Sequence, residues 1–214
     1  MRSKPVFLYF ILIVLSFLTA CVPSSFDKDR ISRVAIVSST VQGDTFLQSD
    51  VTFWGRTAQD IIHRLDDRYR IRLSSAFDVH QDPVFQQLPS KSISKKHLLI
   101  PPFKTIALDD SQICSFLSKS LNVDAVASLD FNLSISPKGS FLFFPASKRV
   151  ISLRIELELN DPLGKRYTIH SIGESIPFDM EAYRSGLVSG NDLLIQSVNH
   201  ASQQLFESLD KALN

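Results

Sequence analysis

Glu156 and Glu158 are the residues of this chain whose type and spacing best suit chemistry. They lie two apart in Ile151-Ser-Leu-Arg-Ile-Glu-Leu-Glu-Leu-Asn160, where apolar and polar residues alternate. Both carboxylates therefore leave the same face of a strand, beside Arg154. Paired carboxylates can serve as general acid and base. A charged strand face turned to water has the same pattern and is the expected reading, because no cleft-forming motif accompanies the pair. Asp66-Asp67 closes a helix and brings no cleft with it. The histidines His63, His80, His97, His170 and His200 lack the close spacing of a zinc motif and have no cysteine cluster beside them. No P-loop, Gly-x-Ser-x-Gly or Gly-x-Gly-x-x-Gly is present, and seven glycines leave little for a phosphate cradle. The expectation is no catalytic residue, no metal and no cofactor: a protein that is not an enzyme.

Two stretches point instead to contacts. Lys91, Lys95 and Lys96, followed by His97, form a local basic cluster. Such a cluster is either a solvated loop or a contact for anionic headgroups or cell-wall polymer. Phe141, Leu142, Phe143 and Phe144 precede Pro145 in the connection between two strands, where polar turn residues are the rule. Either the strands run on through Phe144 and bury half of these side chains, or an apolar tip meets a protein partner or a membrane.

The elements that position these residues follow from periodicity. Arg33–Ser38 is a short apolar strand, and residues 40–49 read as a loop. Ser49 or Asp50 caps a helix whose Trp54, Ala58, Ile61, Ile62 and Leu65 share one face, ending near Asp67. Tyr69, Ile71 and Leu73 alternate as a second strand, parallel to the first across the helix. Asp82-Pro83 starts a short turn of helix, and residues 90–104 read as irregular. An aspartate caps a helix over 109–121 with Ile113, Phe116, Leu117 and Leu121 on its face. Residues 127–135 and 151–159 are long alternating strands. Asp161-Pro162-Leu163-Gly164 is a tight turn, and residues 167–176 return as a third strand in which Gly173 marks a bulge. Residues 178–190 read as loop. Asn191 or Asp192 caps a last helix carrying Leu194, Val198, Ala201, Leu205, Leu209 and Ala212, with Ile195, Phe206 and Leu213 beside them. The order β-α-β-(α)-α-β-β-β-α predicts an α/β fold: a mixed sheet with helices packed on it and an antiparallel carboxy-terminal meander.

The amino-terminal stretch fixes the expected location. Arg2 and Lys4 precede Val6–Leu18, an uncharged run of 13 residues. A membrane span needs about 20, so the run suits the apolar region of a secretory signal. It ends in Leu18-Thr19-Ala20-Cys21, which resembles the lipobox of bacterial lipoproteins. That resemblance implies cleavage before Cys21 and lipidation of its thiol and new amino group. Val22, in place of an aspartate, leans towards the outer membrane under the enterobacterial sorting rule. Residues 1–20 are then signal peptide, 21–32 the lipidated cysteine and a polar tether, and 33–214 a single envelope domain. Eleven tether residues reach roughly 35–40 Å when extended. Without residues 1–20, 21 Lys and Arg face 22 Asp and Glu, so no basic field exists to collect nucleic acid. With Cys21 lipidated, Cys114 has no partner in its own chain and reads as a half-buried free thiol.

The leading Val34-Ala-Ile-Val37 strand, the Leu121-Asn-Val-Asp-Ala-Val126 passage from helix to strand, and the Ile155–Lys165 hairpin carry a second resemblance. Together with the order of elements they resemble a group of envelope domains over residues 33–214. The group includes the curli-secretion lipoprotein family, the outer-membrane lipoprotein activators of penicillin-binding proteins, and the amino-terminal domain of the Tol–Pal periplasmic protein. It implies a non-catalytic role in docking, activation or assembly, and no functional residue is carried over. The sequence thus leads to an accessory or assembly factor held to the periplasmic face of the outer membrane by its lipid. Its expected partner is an envelope protein, and a homo-oligomer is compatible with this. A binding module for a hydrophobic ligand or lipid is the alternative, and a hydrolase assembled from residues distant in sequence stands third.

Overall fold

The computed structural model describes residues 31–43, 50–69, 72–74, 81, 83–88, 97–100, 103, 106, 108, 110–139 and 148–213. The strands are β1 (Arg33–Gly43), β2 (Arg72–Ser74), β3 (His97–Leu99), β4 (Ala125–Lys138), β5 (Lys148–Asn160), β6 (Arg166–Glu174) and β7 (Phe178–Asp179). The helices are α1 (Val51–Tyr69), α2 (Pro83–Gln87), α3 (Ser111–Ser120), α4 (Met180–Arg184) and α5 (Gly190–Leu213). They form one mixed sheet in the order β2-β1-β4-β5-β6, with β3 also on β1 and β7 also on β5. β1 runs parallel to both β2 and β4, as expected of strands joined through helices, while β4, β5 and β6 form the antiparallel meander.

Helices cover both sides. α1 and α5 lie on one face over a core that includes Val34, Ile36, Trp54, Ile61, Leu129, Phe131, Leu153, Ile155 and Leu205. On the other face α2 and α3 bury a smaller cluster of Ala35, Val37, Phe85, Cys114, Leu117 and Val126. β1 serves both cores because successive side chains alternate between faces, Val34 and Ile36 on one and Ala35 and Val37 on the other, and the one-residue slip against β4 between Ile36 and Ser38 returns Val41 to the larger core. Asp50 caps α1 by accepting the Phe53 N–H at 3.0 Å, and Asp110 caps α3 by accepting the Gln112 N–H at 2.8 Å.

Several expectations from the sequence are corrected. β1 continues through Gly43, because Thr40–Gln42 pair on both sides, with β4 and with β3. β3 itself lies inside the stretch expected to be irregular, and β7 and α4 lie inside 178–190. β2 is described over Arg72–Ser74, and Tyr69, expected to begin it, ends α1 instead. Ser189, not Asn191 or Asp192, caps α5, accepting the Asp192 N–H at 3.3 Å. The stripe on α5 gains Leu193 and Phe206, while Ile195 and Ala212 are exposed. On α3, Phe116 points to water and Ser118 takes the inward position. Cys114 is fully rather than half buried, with its thiol donating to Leu108 O at 3.2 Å.

Gly173 marks no bulge. It pairs in register with Leu153. A Cβ there would stand 2.2 Å from both Ala201 N and Ser197 O of α5. Glycine is needed because the helix backbone rests directly on the strand.

Candidate functional site

The sheet face opposite α1 and α5 collects the polar residues of the meander. Its middle row runs in register from Thr40 on β1 through Asp130 on β4 and Glu156 on β5 to His170 on β6. The flanking rows are Ser38, Ser128, Glu158 and Thr168 on one side, and Gln42, Asn132, Arg154 and Ile172 on the other. Alternation puts all of them on one face, and the two pairing modes of β4 bring together residues about ninety positions apart.

Asp130 is the chemically unusual member. Burial pushes its carboxyl above the ordinary aspartate range, and the Glu156 charge acts in the same direction. Hydrogen bonds from Thr40 and Ser128 oppose this in part. Thr40 donates both its hydroxyl, at 2.6 Å, and its N–H, at 3.1 Å, to Asp130 Oδ1. The two glutamates singled out by spacing do not work as a pair. Arg154 holds Glu156 at 2.9 Å and Arg166 holds Glu158 at 3.3 Å. Asn160 also donates to Glu158 at 3.0 Å. This is the ion-paired, wetted strand face that the alternation led us to expect. His63 lies exposed on α1. No group of three or more His, Cys, Asp or Glu able to hold a metal occurs among the described residues.

Asp130→Asn is expected to keep the Thr40 hydrogen bonds, since the amide oxygen accepts as the carboxylate does, while removing the cost of a buried charge. A raised folded pKa means that the native state holds the proton more tightly than the unfolded chain. Wild-type stability is then highest below the ordinary value of 3.8 and falls as pH rises through the raised folded value. The Asn variant lacks this term and gains on the wild type across that window. Urea midpoints between pH 3 and pH 8 measure it, and parallel profiles for the two proteins would exclude the assignment.

A second feature lies at the start of β1. Asp124, between α3 and β4, accepts three hydrogen bonds on Oδ2: from Ser32 N at 3.0 Å, Ser32 Oγ at 2.9 Å and Arg33 N at 2.9 Å. Burial alone would raise its carboxyl, but these bonds and the Arg33 charge outweigh it and hold the group below the usual range. On the opposite face an open groove of about 300 Å³ runs between α1 and α5. Phe53, Ile61, Ile195 and Val198 give it an apolar floor, and Arg56 and Asp60 stand on its rim. Arg64 leans across one end, its guanidinium 4.4 Å from the centre of the Phe206 ring.

The contact residues expected from sequence, Cys21, Lys91, Lys95, Lys96, Phe141, Leu142, Phe143 and Phe144, lie outside the described residues. What is described is the frame on either side of the last four. β4 and β5 stay paired to a final rung of Lys138 with Lys148. That is five rungs past Leu133, the last β4 residue paired with β1. Lys138 forms an ion pair with Glu174, and Lys148 lies opposite Asp179 of β7. Sequence reasoning missed the Thr40–Asp130 pair, because nothing in alternation says which distant strand will lie alongside.

No family model matches this chain, and no curated protein matches it. Solved structures that are similar at low level include two bacterial proteins. One is the hypothetical protein CT253 from Chlamydia trachomatis, 13% identical with a TM-score of 0.40, the match covering 84% of this chain and 95% of the other. The second is the lipoprotein GNA1162 from Neisseria meningitidis, also 13% identical with a TM-score of 0.40, covering 83% and 99%. No residue role is carried over from either.

Proposed function

We propose that this chain is a lipid-anchored cell-envelope protein, tethered through Cys21 and residues 22–32. Residues 33–214 act as a non-catalytic accessory or assembly module for a protein partner on the periplasmic side of the outer membrane. The observation that carries this reading is the arm made by β4 and β5. Val34 lies beside Ala125, so the tether joins the domain at the start of β4. The strand then runs to Lys138, a distance of about 40 Å at about 3.3 Å per residue. Phe141–Phe144 follow in the sequence after Gly139 and Ser140. Lys138 and Lys148, which flank this segment, lie at the end of the arm away from the start of β1, which supports contact with a partner rather than with the anchoring bilayer. Aromatic side chains suit that task, since they bring large contact area and often dominate interfaces. The fully buried Trp54, Phe85, Phe131 and Phe206 fill the interior, which favours a partner over an enclosed hydrophobic ligand.

The test uses the lipidated protein in its own membrane. Wild type should require detergent for release, and Cys21→Ser should not, because the acyl chains contribute roughly 0.8 kcal/mol per buried methylene. Replacing Phe141, Phe143 and Phe144 together with serine should abolish in-cell cross-linking to an envelope protein. Fractionation and melting temperature should stay unchanged. Cross-linking that survives the triple change, or a melting temperature that collapses with it, counts against the arm as the docking element.

A further inference from the structure

The described structure leaves one side of β6 open over part of its length, and the positions of its hydrogen bonds say which part. In an antiparallel pair, alternate residues turn their N–H and C=O towards the neighbour and away from it. Ser175 N–H reaches inward to Ile151 O at 2.9 Å. Glu174 N–H instead points outward and meets His200 Nδ1 at 3.3 Å. Ile176 N–H also points outward and meets Gln196 Oε1 at 3.1 Å. With unbroken register from Glu174 back to Arg166, the same parity turns the backbone groups of Thr168, His170 and Ile172 outward. Side chains of α5 therefore close the edge at one end only. No strand lies along the rest among the described residues.

Natural sheets usually blunt such an edge with lysine, proline, a bulge or a covering element. Between Arg166 and Glu174 there is no lysine, no proline and no slip in register. Ile172, on the wetted face beside the open backbone, is 46% exposed and offers an apolar foothold. A second copy of this chain does not fit the edge. The Gly173 contact sets α5 directly over β6. Two β6 strands paired about 4.8 Å apart would overlay two such helices, which need about 8–10 Å between axes.

We propose that the Thr168–Ile172 edge of β6 is a docking site for an extended polypeptide segment of a partner protein, added as a further strand beneath the flank of α5. Only an extended backbone complements a row of alternating donors and acceptors, which fixes the chemical class of the ligand. The proposal deepens the partner-binding reading and rests on it.

The probe is a blocked synthetic peptide with the sequence of residues 166–174. In full antiparallel register its arginine lies opposite Glu174 and its glutamate opposite Arg166. Added at millimolar concentration to the detergent-solubilised full chain, it should slow amide exchange at Thr168, His170 and Ile172 by about tenfold. The inward amides of Tyr167, Ile169, Ser171 and Gly173 should not change. A peptide N-methylated at alternate residues should have no effect. The proposal falls if the plain peptide gives no slowing, if the methylated peptide slows exchange equally, or if the three outward amides are already protected without peptide. In those cases a partner that still cross-links through Phe141–Phe144 would leave the partner reading standing and remove only the edge.

Discussion

Gly173→Ala is expected to destabilise the domain by about 3 kcal/mol or more, because the added methyl meets backbone rather than a side chain that can turn aside. The obstructing atoms are Ala201 N and Ser197 O, each 2.2 Å from where the Cβ would lie. Relief requires α5 to lift from the sheet, which loosens Val198, Ala201 and Leu205 against β5 and β6. Gly55→Ala is the contrasting change. It lies within α1 with nothing inside 4 Å of its would-be Cβ, so it should stabilise by about 0.5–1 kcal/mol through helix propensity alone. Urea midpoints of the two variants should move in opposite directions. If Gly173→Ala matches wild type, the close seating of α5 is wrong.

Phe131→Ala should cost about 3–5 kcal/mol, combining lost transfer energy with the cavity left behind. Phe131 is fully buried on the central strand β4, its ring centre 5.3 Å from that of Trp54. Trp54 is the only tryptophan in the chain, so its emission should shift to the red as water enters the cavity. Phe116→Ala, on the exposed side of α3, should change stability by less than about 0.5 kcal/mol. Comparable losses for both phenylalanines would mean that the core has been assigned to the wrong face.

How far these features were legible in the sequence depended on how local their causes are. The meander, the parallel β1–β2 unit and the stripes on α1 and α5 were legible because a period of two or of 3.6 is written into neighbouring residues. A cap at Ser49 or Asp50 for α1, and an aspartate cap for α3, were legible for the same reason. Gly173 was read as a bulge, since a glycine in a strand signals an irregularity without saying whether the strand bends or a neighbour presses close. Phe116 was counted inward by its apolar character, but α3 covers only the start of the sheet. Its narrow contact is met by Cys114, Leu117 and the small Ser118. The extension of β1 through Thr40–Gly43 depends on β3 and β4, both distant in sequence, and so does the pairing of Thr40 with Asp130. All of the contact residues expected fall outside the described residues; for Phe141–Phe144 only the flanking Lys138–Lys148 rung is described.

The seat of Ser32 and Arg33 on Asp124 has a mechanical consequence. In an anchored molecule gripped at the far end of β4, any pull between membrane and partner enters at the start of β1 and leaves at the end of its parallel neighbour. Such a load runs along the strands and stretches the β1–β4 hydrogen bonds together, in shear, rather than peeling them apart one at a time. Nine residue pairs from Val34–Ala125 to Gly43–Leu133 share it, and the Asp124 carboxylate is the first link to bear it. In a molecule so held, separation of the two surfaces would be resisted by the longest parallel seam among the described residues.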